Sequence, residues 1–142
     1  MKRRRAREYA LQLLFQYDLT GNELDEDTLK EFWESNDEDQ DVRQFTQGIV
    51  QGTIEHIGAL DEIIRTAAEH WSVERMAVVD RNILRAAVYE LFYMPDIPSS
   101  VTINEAIEIS KKYSTGDSSA FINGILDKIQ KTSDDRRKKN AD

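Results

Sequence analysis

The chain has 142 residues, 39% hydrophobic and 32% charged, which suits one domain with a core of its own. It has no cysteine, which excludes disulfides, thiol catalysis and cysteine-ligated zinc, and no apolar run approaches the ~18 residues of a membrane span. The net charge of -8 argues at first against a nucleic-acid partner, but the charge is unevenly placed.

Residues 2–7 carry five basic side chains and no acid. Residues 22–41 carry ten acids against Lys30 alone, and basic residues return at Arg136-Arg137-Lys138-Lys139. With a Debye length of ~8 Å, a ligand at the N-terminus responds to the local patch rather than to distant acids. The acidic segment reads as a solvated helix and loop that also repels nucleic acid from the wrong face. The basic start is not followed by a uniform apolar stretch, so it is no secretory signal, and a cytoplasmic protein is expected.

Apolar residues recur at helical spacing throughout, with no strand-like alternation and no repeat, so the expected class is all-α with about seven helices. The first is expected over 3–19, ending before Gly21-Asn22. On a wheel, Ala6, Ala10, Leu13, Leu14 and Tyr17 form its core stripe, and Arg4, Glu8, Leu11 and Phe15 lie opposite. The second helix covers 25–35. The third follows Asp41, which forms a capping box with Gln44, and ends near Gly58; the fourth covers 60–70.

The fifth helix, over 79–94, stops at Pro95. Val79, Ile83, Leu84, Ala87, Leu91 and Met94 fill one arc and Val88 and Phe92 widen it, so this helix belongs at the centre. Asp80 and Glu90 project into the same arc and need partners there. Asp80 can cap the helix; Glu90 can take an arginine or backbone groups. The sixth helix begins at Thr102, with Glu105 completing a second capping box, and ends at Gly116.

The seventh covers 118–131, capped by Asp117 or Ser118, with Phe121, Ile122, Ile125, Leu126 and Ile129 at helical spacing. Gly124 inside it costs ~1 kcal/mol relative to alanine, which points to close approach of another helix or a ligand. The domain is expected to span 1–131, with 132–142 a disordered charged tail.

No HExxH, CxxC, GxSxG, phosphate-loop or dinucleotide glycine pattern occurs. His56 and His70 are the only histidines; His70, beside Trp71 at a helix end, reads as a cap or packing residue. Glu105 and Glu108 share a helical side as solvated acids commonly do. An enzyme, a metal site and a cofactor are therefore not expected. The first helix differs, because it pairs arginines with Phe15 on a face the core stripe does not require. Single-stranded RNA is bound in this way, by cations tracking phosphates and rings stacking on bases. Phe15 packing against a neighbouring helix is the plain alternative. A membrane-surface helix competes less well, since the apolar stripe is small and includes two alanines.

Four stretches, in order, resemble the NusB family of bacterial transcription antitermination factors. They are Arg3-Arg4-Arg5-Ala6-Arg7-Glu8 with Ala10-Leu11-Gln12 and Phe15; Asp80-Arg81-Asn82-Ile83-Leu84-Arg85 into Tyr89-Glu90-Leu91; Ile97-Pro98, Val101 and Ile103-Asn104-Glu105-Ala106-Ile107; and Phe121-Ile122-Asn123-Gly124-Ile125-Leu126-Asp127-Lys128. The resemblance implies two packed helical subdomains and an adaptor that binds boxA-type single-stranded RNA together with NusE, a small-subunit ribosomal protein. It implies that the complex joins RNA polymerase and other Nus factors to suppress premature termination, notably on ribosomal RNA operons. It also implies RNA contacts from Lys2, Arg3, Arg4, Arg5, Arg7, Phe15 and Phe121. Asp80 and Asp117 match acidic positions tied to NusE or RNA. Self-association occurs in the family, and a homodimer would cover the surface RNA needs. Similar domains also precede RNA cytosine methyltransferases, and a helical interaction protein without RNA binding is the remaining alternative.

Overall fold

The computed structural model describes residues 2–69 and 71–140, with the Asn140 side chain left aside; His70, read above as a cap or packing residue, lies outside the described residues. Among the described residues seven α-helices follow in order: α1 Lys2–Thr20, α2 Glu26–Ser35, α3 Gln40–Glu55, α4 Ile57–Ala68, α5 Val78–Tyr93, α6 Ser99–Tyr113 and α7 Gly116–Asn140. A 3-10 turn, Val73–Arg75, joins α4 to α5, and no strand occurs among the described residues. The expected all-α class is what the chain adopts.

Two cores account for the packing. Ala10, Leu13 and Leu14 of α1 meet Ile49 and Val50 of α3, with Leu29 and Phe32 of α2 packed against them. The larger core joins α4, α5, α6 and α7 through residues such as Leu60, Ile64, Leu84, Leu91, Ile109, Ile122 and Leu126. Burying each such side chain contributes ~1.5–3 kcal/mol. The central helix is α5, which packs against α1, α3, α4, α6 and α7. Leu11 joins the larger core, so the wheel that set it opposite the core stripe is corrected. A wheel finds one buried face, whereas α1 is held between α3 and α5 and buries two.

Helix ends follow local chemistry, with two surprises. Gly21 leaves α1 at a φ of 69, and its N–H bonds the Tyr17 carbonyl at 2.8 Å. Asp25 caps α2 by accepting from the Thr28 N–H at 2.9 Å. Both capping boxes are overturned. Helix α3 begins earlier, after Asp39, and Asp41 faces Lys2 at 3.3 Å. Helix α6 begins directly after Pro98, whose fixed φ presets the first turn. Thr102 is thereby carried into the core and Glu105 meets Arg4.

Arg7 and Glu90 form the most buried ion pair among the described residues. The Arg7 guanidinium donates to both Glu90 oxygens at 2.8 and 2.9 Å, and the Thr102 hydroxyl donates to Glu90 at 3.0 Å. Both charged side chains are nearly sealed from solvent, at 6% and 3% exposure. A second network ties the far end of α1 to α5. Asp18 accepts from Arg81 at 2.6 and 2.7 Å, from Asn82 at 2.8 Å and from Arg85 at 3.1 Å, while Arg85 also grips Asp61 of α4.

The tail is the largest departure from expectation: α7 continues through Asn140 instead of dissolving after residue 131. Polar contacts rather than apolar periodicity hold it. The Arg137 guanidinium donates to the carbonyls of Leu91 at 3.0 Å and Ile97 at 2.8 Å, with a longer bond to Glu90, and so caps the end of α5. Asp134 accepts from the Ser99 hydroxyl at 2.6 Å. Gly124 is open to solvent with no neighbour, so it marks no close helix. The crowded glycine is Gly52: a β-carbon there would stand 2.0 Å from the Tyr89 ring.

Glu90→Ala is expected to cost about 3–5 kcal/mol in urea unfolding, because it strands the buried Arg7 charge. The double substitution Arg7→Met with Glu90→Leu should recover most of that loss. Asp18 gives a pH signature. Burial opposes its ionisation, but the bonds from Arg81 and Asn82 outweigh burial and hold its carboxyl below the usual range. Its contribution is full above the unfolded value of ~3.9 and is lost as pH falls through the lower folded value. Asp18→Asn should therefore cost about 1.5–3 kcal/mol at neutral pH and flatten the fall in urea midpoint below about pH 4.

Candidate nucleic-acid interface

The fold sends the basic residues of the α1 N-terminus in different directions. Lys2 pairs with Asp39 at 3.0 Å and Asp41 at 3.3 Å, and Arg5 pairs with Glu38 at 2.9 Å. Arg3 lies over the Phe45 ring at 4.7 Å. Arg4 turns toward α6, its Nε 2.6 Å from Glu105. Arg7 is buried on Glu90, so a phosphate contact at Arg7 is withdrawn. An arginine two residues past the exposed cluster falls on the inward side of α1, where the central helix supplies its carboxylate partner.

Beside Arg4, the α6 C-terminus brings a second cationic group. Lys112 Nζ lies 2.6 Å from Glu8, and the Tyr113 hydroxyl donates to the same oxygen at 2.7 Å. Lys112 also sits 5.2 Å from the centre of the Tyr113 ring. Arg4, Glu8, Glu108, Lys111 and Lys112 line a shallow depression of about 370 Å³. Burial pushes the Tyr113 hydroxyl up, as does its bond to Glu8, so it remains a donor at neutral pH. Lys111, Lys112 and Tyr113 were not singled out from sequence, although a Lys-Lys-Tyr run at a helix end repeats the basic-aromatic signal of α1.

The chain then turns at Ser114 into the second half of the surface. Asp80, buried in the first turn of α5, accepts from the Ser114 hydroxyl at 2.6 Å and the Ser118 hydroxyl at 2.8 Å. Asp80 does not cap its own helix; it pins the Ser114 turn to the first turn of α7, which carries Asp117. Asp117 itself is exposed. Phe121 is half-buried, with its ring 6.3 Å from that of Trp71 at an edge-on angle of 76°. Trp71, Arg75, Asp80, Asp117 and Phe121 line a depression of about 240 Å³. Trp71 remains 57% exposed beside the Phe121 ring, and the sequence pattern marked it only as the neighbour of His70.

Phe15 is half-buried further along the Arg4 stripe of α1. The structure therefore joins Arg4, Lys112 and Tyr113 to Asp117 and Phe121 through the Ser114 turn. It turns Lys2 and Arg5 toward the acidic α2–α3 connection, and Arg7 inward. No group of three or more metal-binding side chains converges among the described residues.

A model of the NusB family matches residues 4–131. The chain belongs to the NusB family. A transcription antitermination protein NusB from Thermodesulfovibrio yellowstonii is 49% identical over 140 residues, covering 92% of this chain and 93% of the relative. One from Bacillus cereus is 48% identical over 132 residues, covering 93% and 99%. Among solved structures, T. maritima NusB superposes with a TM-score of 0.81 at 41% identity, covering 91% of this chain and 90% of its own. A crystal structure of the antitermination factors NusB and NusE in complex with double-stranded RNA contains a chain that superposes at 0.83 with 29% identity, covering 92% and 97%. NusB-family membership accords with the four motifs, which all lie inside the matched span or at its edge.

Asp80→Ala is expected to leave two hydroxyls without their acceptor and to cost about 1–3 kcal/mol in denaturant unfolding. Asp80→Asn, which keeps one acceptor oxygen, should cost less.

Proposed function

We propose that this chain is a transcription antitermination adaptor that binds RNA together with NusE and helps RNA polymerase, in company with other Nus factors, to pass premature termination signals on ribosomal RNA operons. It works by holding partners in place, without catalysis or a cofactor, and it does so in the cytoplasm. No helix among the described residues is long and apolar enough to cross a membrane. The observation that carries the reading is the strip of cations and rings from Arg4 through Lys112 and Tyr113 to Phe121. Cations meet phosphates, and half-exposed rings stack on bases.

Arg3, Arg4 and Phe121 are the RNA contacts this reading favours, with Lys2 and Arg5 joining once released from their acids. Phe15 flanks them. Asp117, exposed in the first turn of α7, is free to face NusE or RNA, and Asp80 acts behind it by holding that turn. The matched relatives are antitermination proteins, which supports this reading over a methyltransferase accessory domain. The related complex holds double-stranded RNA; a single-stranded boxA preference is the finer part of the proposal, supported by rings that need unpaired bases. Self-association across the same strip would form an RNA-free off state.

Titration of labelled boxA-type RNA, single-stranded and duplex, with and without NusE, tests the reading. Phe121→Ala should weaken single-strand binding about five- to hundredfold, the range of one lost stack. Lys112→Glu should weaken it and lower the salt slope by ~0.7, the share of one phosphate contact. Unchanged binding by both folded variants would remove this strip from the interface.

A further inference from the structure

The acidic segment does more than carry solvated charge. The connection from α2 to α3, together with the first turn of α3, returns to the start of α1 and lays three carboxylates on its cations. Glu38 takes Arg5 in a two-pronged grip, from Nε at 2.9 Å and Nη2 at 3.2 Å, and also accepts from the Tyr9 hydroxyl at 2.9 Å. Asp39 and Asp41 bracket the Lys2 ammonium at 3.0 and 3.3 Å. A forked guanidinium–carboxylate contact has the same geometry as a guanidinium–phosphate contact. The connection is itself anchored. Arg43 donates to the Glu38 carbonyl at 3.0 Å and lies over the Trp33 ring, while Tyr9 packs edge-on against Phe32 and Trp33. Glu38 keeps only 10% of its side chain exposed, so it is held in place on Arg5 and does not sample it from solvent.

We infer that Glu38, Asp39 and Asp41 occupy the phosphate positions of Lys2 and Arg5 in the free protein, and that RNA binds by displacing them. The inference rests on the RNA-binding reading above and adds a mechanism to it. Two consequences separate this exchange from simple attraction. Binding carries the cost of breaking internal ion pairs, so the affinity of the basic helix for any polyanion is held down. The released carboxylates also gather cations from solution, which offsets part of the counterion release from RNA and makes the salt dependence shallower. A chain with a bare arginine cluster would bind polyanions indiscriminately. Here Lys2 and Arg5 favour RNA whose contacts at Lys112 and Phe121 already hold it close.

The test compares the full chain with Glu38→Gln/Asp39→Asn/Asp41→Asn and with a control, Glu26→Gln/Asp27→Asn/Glu31→Gln. The control removes the same charge from exposed positions of α2 that form no ion pair among the described residues. Anisotropy of a labelled single-stranded boxA-type RNA is read across a potassium chloride series. The first variant should bind roughly three- to tenfold tighter at low salt. Its plot of log affinity against log salt should steepen by roughly 1.4, or ~0.7 for each of the two freed cations. The control should stay close to the parent. If circular dichroism shows that Glu38→Gln impairs folding, Asp39→Asn/Asp41→Asn frees Lys2 alone and should tighten binding roughly twofold. RNA binding that is equal in parent and variant, or an equal gain in the control, overturns the inference and leaves the RNA reading standing. Absence of RNA binding by every chain overturns both.

Discussion

A buried charge must find its opposite, and in this chain the search decides how the two halves of the molecule meet. Glu90 sits on the central helix, where water is excluded, and Arg7 reaches it from the first helix across 83 positions of sequence. Thr102 adds a third helix to the same carboxylate. Three helices are thus keyed to one another by a contact that tolerates little sliding. A shift of one turn would leave an unpaired charge in the core, at a cost comparable to a large part of the stability of a domain this size. The Asp18–Arg81–Arg85–Asp61 network repeats the arrangement at the other end of α1, closer to solvent. Between the two, the angle and register of α1 on α5 are set, and with them the direction in which every basic residue of the N-terminus points.

That division of labour explains the composition of the first helix. A run of arginines looks uniform when read along the chain, yet a helix rotates each one by about 100° from the last. One goes to the core and one to the acidic connection, so only part of the cluster, with Arg3 and Arg4 in it, is left to address a polyanion. The surface is completed from elsewhere. Trp71 comes from the segment after α4, Lys112 and Tyr113 arrive from the end of α6, and Phe121 comes from α7 just past the Ser114 turn. Asp80 stands beneath that turn and joins the central helix to the loop at the edge of the surface.

Much of this was legible in the sequence. The 3.6-residue spacing located all seven helices, and the apolar arc of α5 marked it as central. The need of Glu90 for a partner was legible too, but not that Arg7 would be the one, because partner choice depends on how α1 rotates against α5. The capping boxes at Asp41 and Thr102 misled for the same reason: tertiary partners outbid local ones, with Lys2 drawing Asp41 and Glu90 drawing Thr102. The tail past residue 131 lacked apolar periodicity, so its helix was invisible. Its anchors, Arg137 on the carbonyls of α5 and Asp134 on Ser99, are polar and distant in sequence. Phe121 enters the proposed surface through its motif, whereas Trp71 carries no pattern and shows itself only by standing in the open.

Gly52 and Tyr89 share a single volume, since the ring of one occupies the place of a β-carbon on the other. Tyr89 is in turn the end of a stack with Tyr93 and His56, so the vacancy at residue 52 supports three rings on the α3–α5 flank. The two positions are therefore not independent letters. Any lineage that enlarges residue 52 must also move, shrink or remove the ring at 89. A chain carrying alanine at 52 and tyrosine at 89 would be an intermediate that this architecture cannot pass through unchanged.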